Sequence, residues 1–291
     1  MRIASLTLLL LIYALTLYPQ KIHTTLKQIW DNNAWEDSQL DTYSYDSRGL
    51  LATKTIQQWN PTTGIWVNSV QETYTYFADS MEQQEITQVW DAESKTWQNR
   101  KMRTTTQLPN GGASVLYQKS VKGSWQNDEK IASVNDKKGL LTKGLKQKWD
   151  AAAGGWVNDI LTDYTCHRNG KIACYVCQIW DKEAKDWSAK RKDECTFSYD
   201  KSGRMLGNTD NSIIDNHTQN ASKNIISYDG QGHKTSSSFT TWNARNKSWR
   251  EIMREDYTNN SDGSVSISTC QKWYGSGGEP YSKVMTKYTY L

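Results

Sequence analysis

The sequence predicts an all-β protein: an antiparallel meander of about 17 strands, built from two-strand units of about 30 residues and elongated or coiled as a single-layer sheet. Three observations lead there. Tryptophans recur at a fixed interval, the segments between them alternate with the period of a strand, and every second connection carries a turn-forming glycine.

The interval is clearest in the pairs Trp59/Trp66, Trp90/Trp97, Trp149/Trp156, Trp180/Trp187 and Trp242/Trp249, with Trp30/Trp35 as a shorter version. The first Trp of each pair precedes Asp31, Asn60, Asp91, Asp150, Asp181 or Asn243, and Trp273 before Tyr274 is a looser copy. About nine such units fill residues 21–291 as one domain, and the fourth and seventh are degenerate. The fourth keeps only Trp125; the seventh has Ile214 and Asp215 where the first Trp belongs.

Short polar loops such as Asn60 to Gly64 separate the two Trp of a unit, so the rings should meet across a hairpin. Gln57 stands two before Trp59 and Asn68 two after Trp66, on the same strand face by parity. Tyr43, Tyr74, Tyr164 and Tyr257 follow the second Trp by an even offset, which extends that face to Gln, Trp, Trp, Asn, Tyr. Lys54, Lys146, Lys148, Thr73 and Thr75 then fall on the opposite, wetter face. Gly49, Gly111, Gly139, Gly170, Gly203, Gly232 and Gly263 mark the other set of turns, whereas Phe77 to Ser80 lacks the glycine and should turn less tightly.

Residues 1–20 form a different segment. Arg2 is followed by an apolar run from Ile3 to Tyr18, which reads as a secretory signal peptide because it is short for a membrane span and lacks a basic stop flank. The remainder is expected to be exported to the periplasm, cell surface or extracellular space, with nothing spanning a membrane once the leader is gone.

Composition limits the functional classes. The hydrophobic fraction is 36 %, against about 45–50 % for a typical domain, yet there are 14 Trp and 16 Tyr against 3 Phe. Rings that pack while keeping a polar handle suit a thin, half-wet sheet. Basic and acidic residues nearly balance at 35 and 31, and no basic run segregates, so a nucleic-acid partner is not expected. A propeller is disfavoured because its blades need about four strands. An outer-membrane barrel is disfavoured because Thr53, Thr55, Gln57, Lys143 and Gln147 would have to face lipid.

The turns at Tyr45 to Gly49, Tyr199 to Gly203 and Tyr228 to Gly232 each begin Tyr-Asp and end in Gly, and resemble the Tyr-Asp (YD, RHS-type) repeat. In that family such repeats build spiralling β-sheets. The alternation of this turn with the Gln-x-Trp-Asp hairpin over about residues 26–291 resembles secreted Trp-rich repeat proteins of Bacteroides-type bacteria, largely uncharacterised. The resemblance implies a cell-surface or exported protein and no activity. Lys287 to Leu291 read as one more strand rather than as the sorting domain that some of those proteins carry.

No catalytic constellation is legible, so the chain is expected to be non-enzymatic, with no cofactor and no metal. His23, His167, His217 and His233 lie in unrelated units without ligand spacing. Asp46, Asp200 and Asp229 each precede a turn that they would cap, and Asp31, Asp91, Asp150 and Asp181 need only turn formation rather than calcium to account for them. Hairpin pairing brings Cys166 towards Cys174 and Cys195 towards residue 172; a cross-strand disulfide, buried free thiols and a zinc site all remain open for them and for Cys177 and Cys270. Two functional classes follow. In one, the aromatic face of Gln57, Trp59, Trp66, Asn68, Trp90, Trp97, Trp149, Trp156, Trp180 and Trp187 binds a polysaccharide or another surface protein. In the other, the same rings pack only on each other in a structural surface scaffold.

Overall fold

A computed structural model describes residues 21–109, 111–215, 217–273 and 279–291; the expected leader at residues 1–20 and Tyr274 lie outside the described residues. The strands are β1 (Ile22–Asp31), β2 (Ala34–Tyr45), β3 (Leu51–Asn60), β4 (Ile65–Tyr76), β5 (Glu82–Asp91) and β6 (Thr96–Gln107). Next come β7 (Ala113–Val121), β8 (Ser124–Asn135), β9 (Leu141–Asp150), β10 (Gly155–Cys166), β11 (Ile172–Asp181) and β12 (Asp186–Tyr199). The last six are β13 (Met205–Ile214), β14 (His217–Tyr228), β15 (Lys234–Asn243), β16 (Ser248–Asn259), β17 (Val265–Lys272) and β18 (Ser282–Tyr290).

All 18 strands belong to one antiparallel sheet in chain order, one strand more than the 17 expected. The sheet is neither elongated nor openly coiled. β1 pairs with β18 as well as β2, with Thr25 opposite Tyr288 and Ile29 opposite Val284, so the meander closes into a barrel. Closure satisfies the two edges that an open sheet would leave unpaired.

A β-bulge in the Trp hairpins contributes to the curvature. In β3–β4, Trp59 faces Trp66 and Gln57 faces Asn68, but Ile56 faces Val70, which leaves Ser69 as an extra residue. Hairpins β1–β2, β5–β6, β9–β10 and β15–β16 shift register at the corresponding place. Such bulges bend the strand and increase its right-handed twist, which carries a long sheet round on itself.

The bulge also reverses parity. Beyond Ser69, Glu72 and Tyr74 lie on the face opposite Trp66 and Asn68, so the expected single face of Gln, Trp, Trp, Asn and Tyr does not exist. Thr25, Asp41, Thr162, Cys177, Cys195 and Ser268, all strand residues no more than 5 % exposed, share the tyrosine face, which is therefore the interior of the barrel. Lys54 and Lys146 are on this inner face, not on a wetter one, and Lys148 shares it nearer the Trp rim. Thr73 and Thr75 lie instead on the outer face, the face of the tryptophans.

At the opposite rim the turns share one geometry. Asp46 Oδ1 accepts from the Leu50 and Arg48 amides, and Gly49 takes a φ of 81°. The turn at Phe77 to Ser80 is not looser: the Phe77 amide donates to Met81 and the Ser80 amide to Phe77, with Ser80 itself at a φ of 68°. The two backbone bonds offset the modest cost of the left-handed region for serine. Just before these turns the hydroxyls of Tyr45, Tyr76, Tyr199 and Tyr228, and at the end of β18 that of Tyr290, donate to backbone carbonyls one strand away, at 2.7–2.9 Å. Each fastens the end of one strand to the start of its neighbour.

Candidate functional site

Every Trp hairpin connects an odd strand to the next even strand, so the loops between paired tryptophans all emerge at one end of the barrel. The pairs form a discontinuous collar on the outer face of that rim. Ring centroids lie 5.0 Å apart in Trp59–Trp66 and Trp180–Trp187, 5.1 Å in Trp90–Trp97 and 5.2 Å in Trp149–Trp156. Trp30–Trp35 and Trp242–Trp249 complete the set at 5.3 and 5.4 Å. Interplanar angles of 59–73° make these edge-to-face contacts, in which the positive edge of one indole meets the negative face of the other. Trp30 is 41 % exposed and the others are half-buried, so the collar is partly open.

Directly below three of the six indole pairs lies a pair of amides, whereas Gln178 below Trp180 faces Lys192 and Thr240 below Trp242 faces Glu251. Gln57 Nε2 donates to Asn68 Oδ1 at 3.0 Å, Gln88 to Asn99 at 2.9 Å and Gln147 to Asn158 at 3.0 Å. In the first hairpin Asp37 replaces Asn and accepts from Gln28 at 2.8 Å. In the degenerate fourth unit Gln118 still donates to Asn127, at 3.2 Å, although Ser120 stands opposite Trp125. The structure thus brings the Trp and amide residues of the second, third and fifth units together, with one donor and one acceptor of each amide pair engaged internally, but leaves the Trp180–Trp187 pair without an amide partner for Gln178.

Three cations on the outer face were missed by the sequence reading. Lys130 Nζ lies 4.9 Å from the Trp156 ring centre, Lys223 3.9 Å from Trp249 and Lys283 6.0 Å from Trp30. Each belongs to the strand before the hairpin it covers, or to β18 in the case of Trp30, so the barrel's lateral pairing makes the contact. Register supplies the signal: Lys130 stands opposite Gln147, two residues below Trp149.

Away from the rim the outer face is mixed, with Ile86, Met102, Leu145, Leu161 and the exposed Val134 and Ile225 among polar residues. Thr53, Thr55, Thr73, Gln84, Thr104, Lys143 and Thr165 lie on this face, as do the ion pairs Lys143–Asp163 and Arg254–Asp256 at 3.5 and 3.0 Å. Among the described residues no helix is long and apolar enough to cross a membrane.

The interior differs between its two arcs. From β1 to β10 it is charged: Asp41 is held between Lys27 at 3.7 Å and Lys54 at 3.5 Å, Lys54 continues to Glu72, Arg103 bridges Glu82 and Glu85, and Lys146 meets Glu129 at 2.9 Å. From β11 onwards Asp193, Asp210 and Glu255 face the interior without ion pairs among the described residues, and thiols, hydroxyls and amides surround them, as in Thr162–Cys177 at 3.3 Å and Asn224 donating to Asn208 at 3.0 Å. Burial pushes the Tyr43 and Tyr76 phenols up to about 12, and burial with neighbouring carboxylates raises Tyr74 and Tyr257 further. Burial likewise raises the Cys195 thiol, beside Asp210 and Tyr175.

All five cysteines are free thiols. Cys166 stands opposite Ile172 on the inner face and Cys174 opposite Thr165 on the outer, because a register shift separates them; Cys195 opposes Tyr175. The expected approach of Cys166 to Cys174, and the disulfide it would permit, is therefore absent. Among the described residues no group of three His, Cys, Asp or Glu side chains converges as a metal site. Asp91, Asp150 and Asp181 each accept two backbone amides of their own loops, at 2.9–3.3 Å. Those bonds account for the acidic residue after the first Trp.

No family model matches the sequence, and no curated protein matches it. Among solved structures, a porin-like protein from Bacteroides uniformis is similar over 94 % of this chain and 100 % of its own, with 10 % identity and a TM-score of 0.38. A protein of unknown function from Bacteroides fragilis matches 42 % of this chain and 88 % of its own at 19 % identity and a TM-score of 0.37. A DUF3836 family protein from Bacteroides vulgatus matches 31 % of this chain and 91 % of its own at 20 % identity and a TM-score of 0.28. Likeness at this level carries no argument about function.

Proposed function

We propose that the chain is an exported, non-enzymatic barrel with water on its outer face, which binds an extended polysaccharide through the tryptophan rim. The observation that carries this reading is the placement of six indole pairs at one end, on one face, partly open, three of them over an amide pair. Flat rings suit the apolar faces of sugars, and the amide atoms not engaged within the pair suit sugar hydroxyls.

A water-facing exterior follows from its residues. Lipid-facing mid-strand positions of a membrane barrel are apolar, and a Lys or Arg there costs about 2–4 kcal/mol at the bilayer midplane. Lys130, Lys143, Asp163, Arg254 and Asp256 sit on this face. The apolar run at Ile3 to Tyr18 supports export.

Each rim site is small, so affinity per site is weak and repetition on a stiff frame supplies avidity. Titration of Trp fluorescence with polysaccharides and the matching monosaccharides tests the reading. A spectral change with a long polymer at concentrations where its monomer is silent is the expected result. The scaffold reading keeps specific support, because the rings pack edge-to-face and the amides bond to each other. It would stand alone if no polymer altered the fluorescence and acrylamide quenched most indoles poorly.

A further inference from the structure

The hairpin that carries Trp242 and Trp249 differs from the other five in charge. Between the paired tryptophans the other hairpins hold a net charge of zero or minus one: Asp31 in the first, none in the second, then Asp91, Glu93 and Lys95 in the third and Asp150 in the fourth. The fifth has Asp181, Lys182, Glu183, Lys185 and Asp186. The loop after Trp242 holds Arg245 and Lys247 with no acid, and Arg250 follows Trp249 directly.

An open pocket of about 390 Å³ lies at this place on the rim, lined by Thr241, Trp242, Asn243, Ala244, Arg245 and Arg250. Neither arginine is in an ion pair among the described residues, and Arg250 Nε is buried without a hydrogen-bond partner. A guanidinium N–H withdrawn from water and left unbonded is costly, so the site favours an acceptor that can enter. Lys223, with its ammonium 3.9 Å from the Trp249 ring centre, lies on the outer face of the hairpin and outside the pocket that holds the two arginines. Glu251 is the carboxylate next in sequence; it stands opposite Thr240 on the outer face, whereas Arg250 stands opposite Thr241 on the inner.

We infer that the Trp242–Trp249 hairpin is the anion-selective site of the rim, taking the carboxylate or sulfate of an acidic polysaccharide on Arg245 and Arg250. This rests on the polysaccharide reading above and narrows its ligand to a charged class. Planar guanidinium groups bind carboxylate and sulfate oxygens through paired N–H donors, which a lysine cannot reproduce. The five neutral or acidic hairpins then add stacking along the polymer without anion selectivity.

The test uses the full chain and four variants, Arg245→Gln, Arg250→Gln, Arg250→Lys and the double Arg245→Gln/Arg250→Gln, each checked for an unchanged circular dichroism spectrum. Trp fluorescence is titrated with polygalacturonate, dextran sulfate and neutral dextran at low and high salt. The parent should prefer the acidic polymers, and the two acidic arms separate carboxylate from sulfate selectivity. The double variant should bind the acidic polymers on the order of tenfold more weakly while its response to dextran stays unchanged. Arg245→Gln, in an exposed loop, should give part of that loss, and Arg250→Lys should retain more binding than Arg250→Gln. Equal binding of acidic polymers by parent and double variant, or no preference for them in the parent, would overturn the inference while a dextran response leaves the rim reading intact. Silence with all three polymers would remove both.

Discussion

The two faces of the sheet use aromatic residues in opposite ways. Outside, indoles pair across hairpins at one rim, half-open, with lysines laid over three of them. Inside, phenols are buried among carboxylates and lysines, as Tyr74 donates to Glu72 at 2.9 Å and Tyr257 to Glu255 at 2.7 Å. The difference teaches that a thin protein short of aliphatic residues can still divide its aromatics by role. Tyr anchors a polar interior through its hydroxyl, while Trp supplies ring surface where the wall meets water. The device that separates them is an odd number of extra residues in the hairpin, one in most, such as Ser69, and three in β11–β12.

The largest effect should come from the interior at alkaline pH. Tyr43, Tyr74, Tyr76, Tyr175 and Tyr257 all have phenol pKa values raised above 10, chiefly by burial. Below pH 10 folded and unfolded tyrosines are both neutral and their contribution to stability is complete. Above it the unfolded chain ionises first, so stability falls as pH rises through the folded values, which for Tyr43 and Tyr76 are about 12. Denaturant midpoints should drop steeply from pH 10 upward, with tyrosinate absorbance appearing together with unfolding. Gradual ionisation of a fully folded protein near pH 10 would mean that the tyrosine face is open to water.

A smaller effect separates paired carboxylates on the two faces. Asp41 is 2 % exposed, accepts from Gln39 and lies between two lysines, so Asp41→Ala should cost about 1–3 kcal/mol, below the full value for a dry ion pair because both lysines reach solvent. On the outer face, where Lys143 and Asp163 are 60 % and 50 % exposed, Asp163→Ala should change stability by less than about 0.5 kcal/mol. Urea unfolding of the two variants gives the comparison, and equal costs would erase the distinction between the faces. Between these lies the indole contact: a double-mutant cycle on Trp59→Phe and Trp66→Phe should return a coupling of about 0.5–1.5 kcal/mol, and additivity would show that the rings do not depend on each other.

Much of the rim was legible because it is local. A spacing of seven residues with Asn60 to Gly64 between leaves little choice but a hairpin, and the structure sets Trp59 against Trp66 and Gln57 against Asn68. The bulge was not legible from parity, which assumes one residue opposite one. A charge pattern held the clue: regular pairing from Trp59–Trp66 would set Lys54 against Gln71, and only a one-residue slip sets it against Glu72. Closure was hidden for a different reason. β1 and β18 meet only through accumulated twist and bulging along the whole sheet, and nothing in Ile22–Asp31 or Ser282–Tyr290 differs from an interior strand. The arginines at Trp242 were visible in the sequence, but their shared pocket needed the rim to be built first.

The central claim, that the outer tryptophan rim and not the tyrosine interior engages a polymer, is tested most directly by affinity electrophoresis of two variants through gels containing polysaccharide. Trp66→Ala combined with Trp97→Ala and Trp156→Ala removes one ring from each of three rim pairs, while Tyr74→Phe combined with Tyr257→Phe removes only interior hydroxyls. The account predicts that the polymer retards the parent and the tyrosine variant equally, and that it retards the tryptophan variant, still folded by circular dichroism and keeping three rim pairs, clearly less. Full retardation of the tryptophan variant, or its loss in the tyrosine variant, would contradict it.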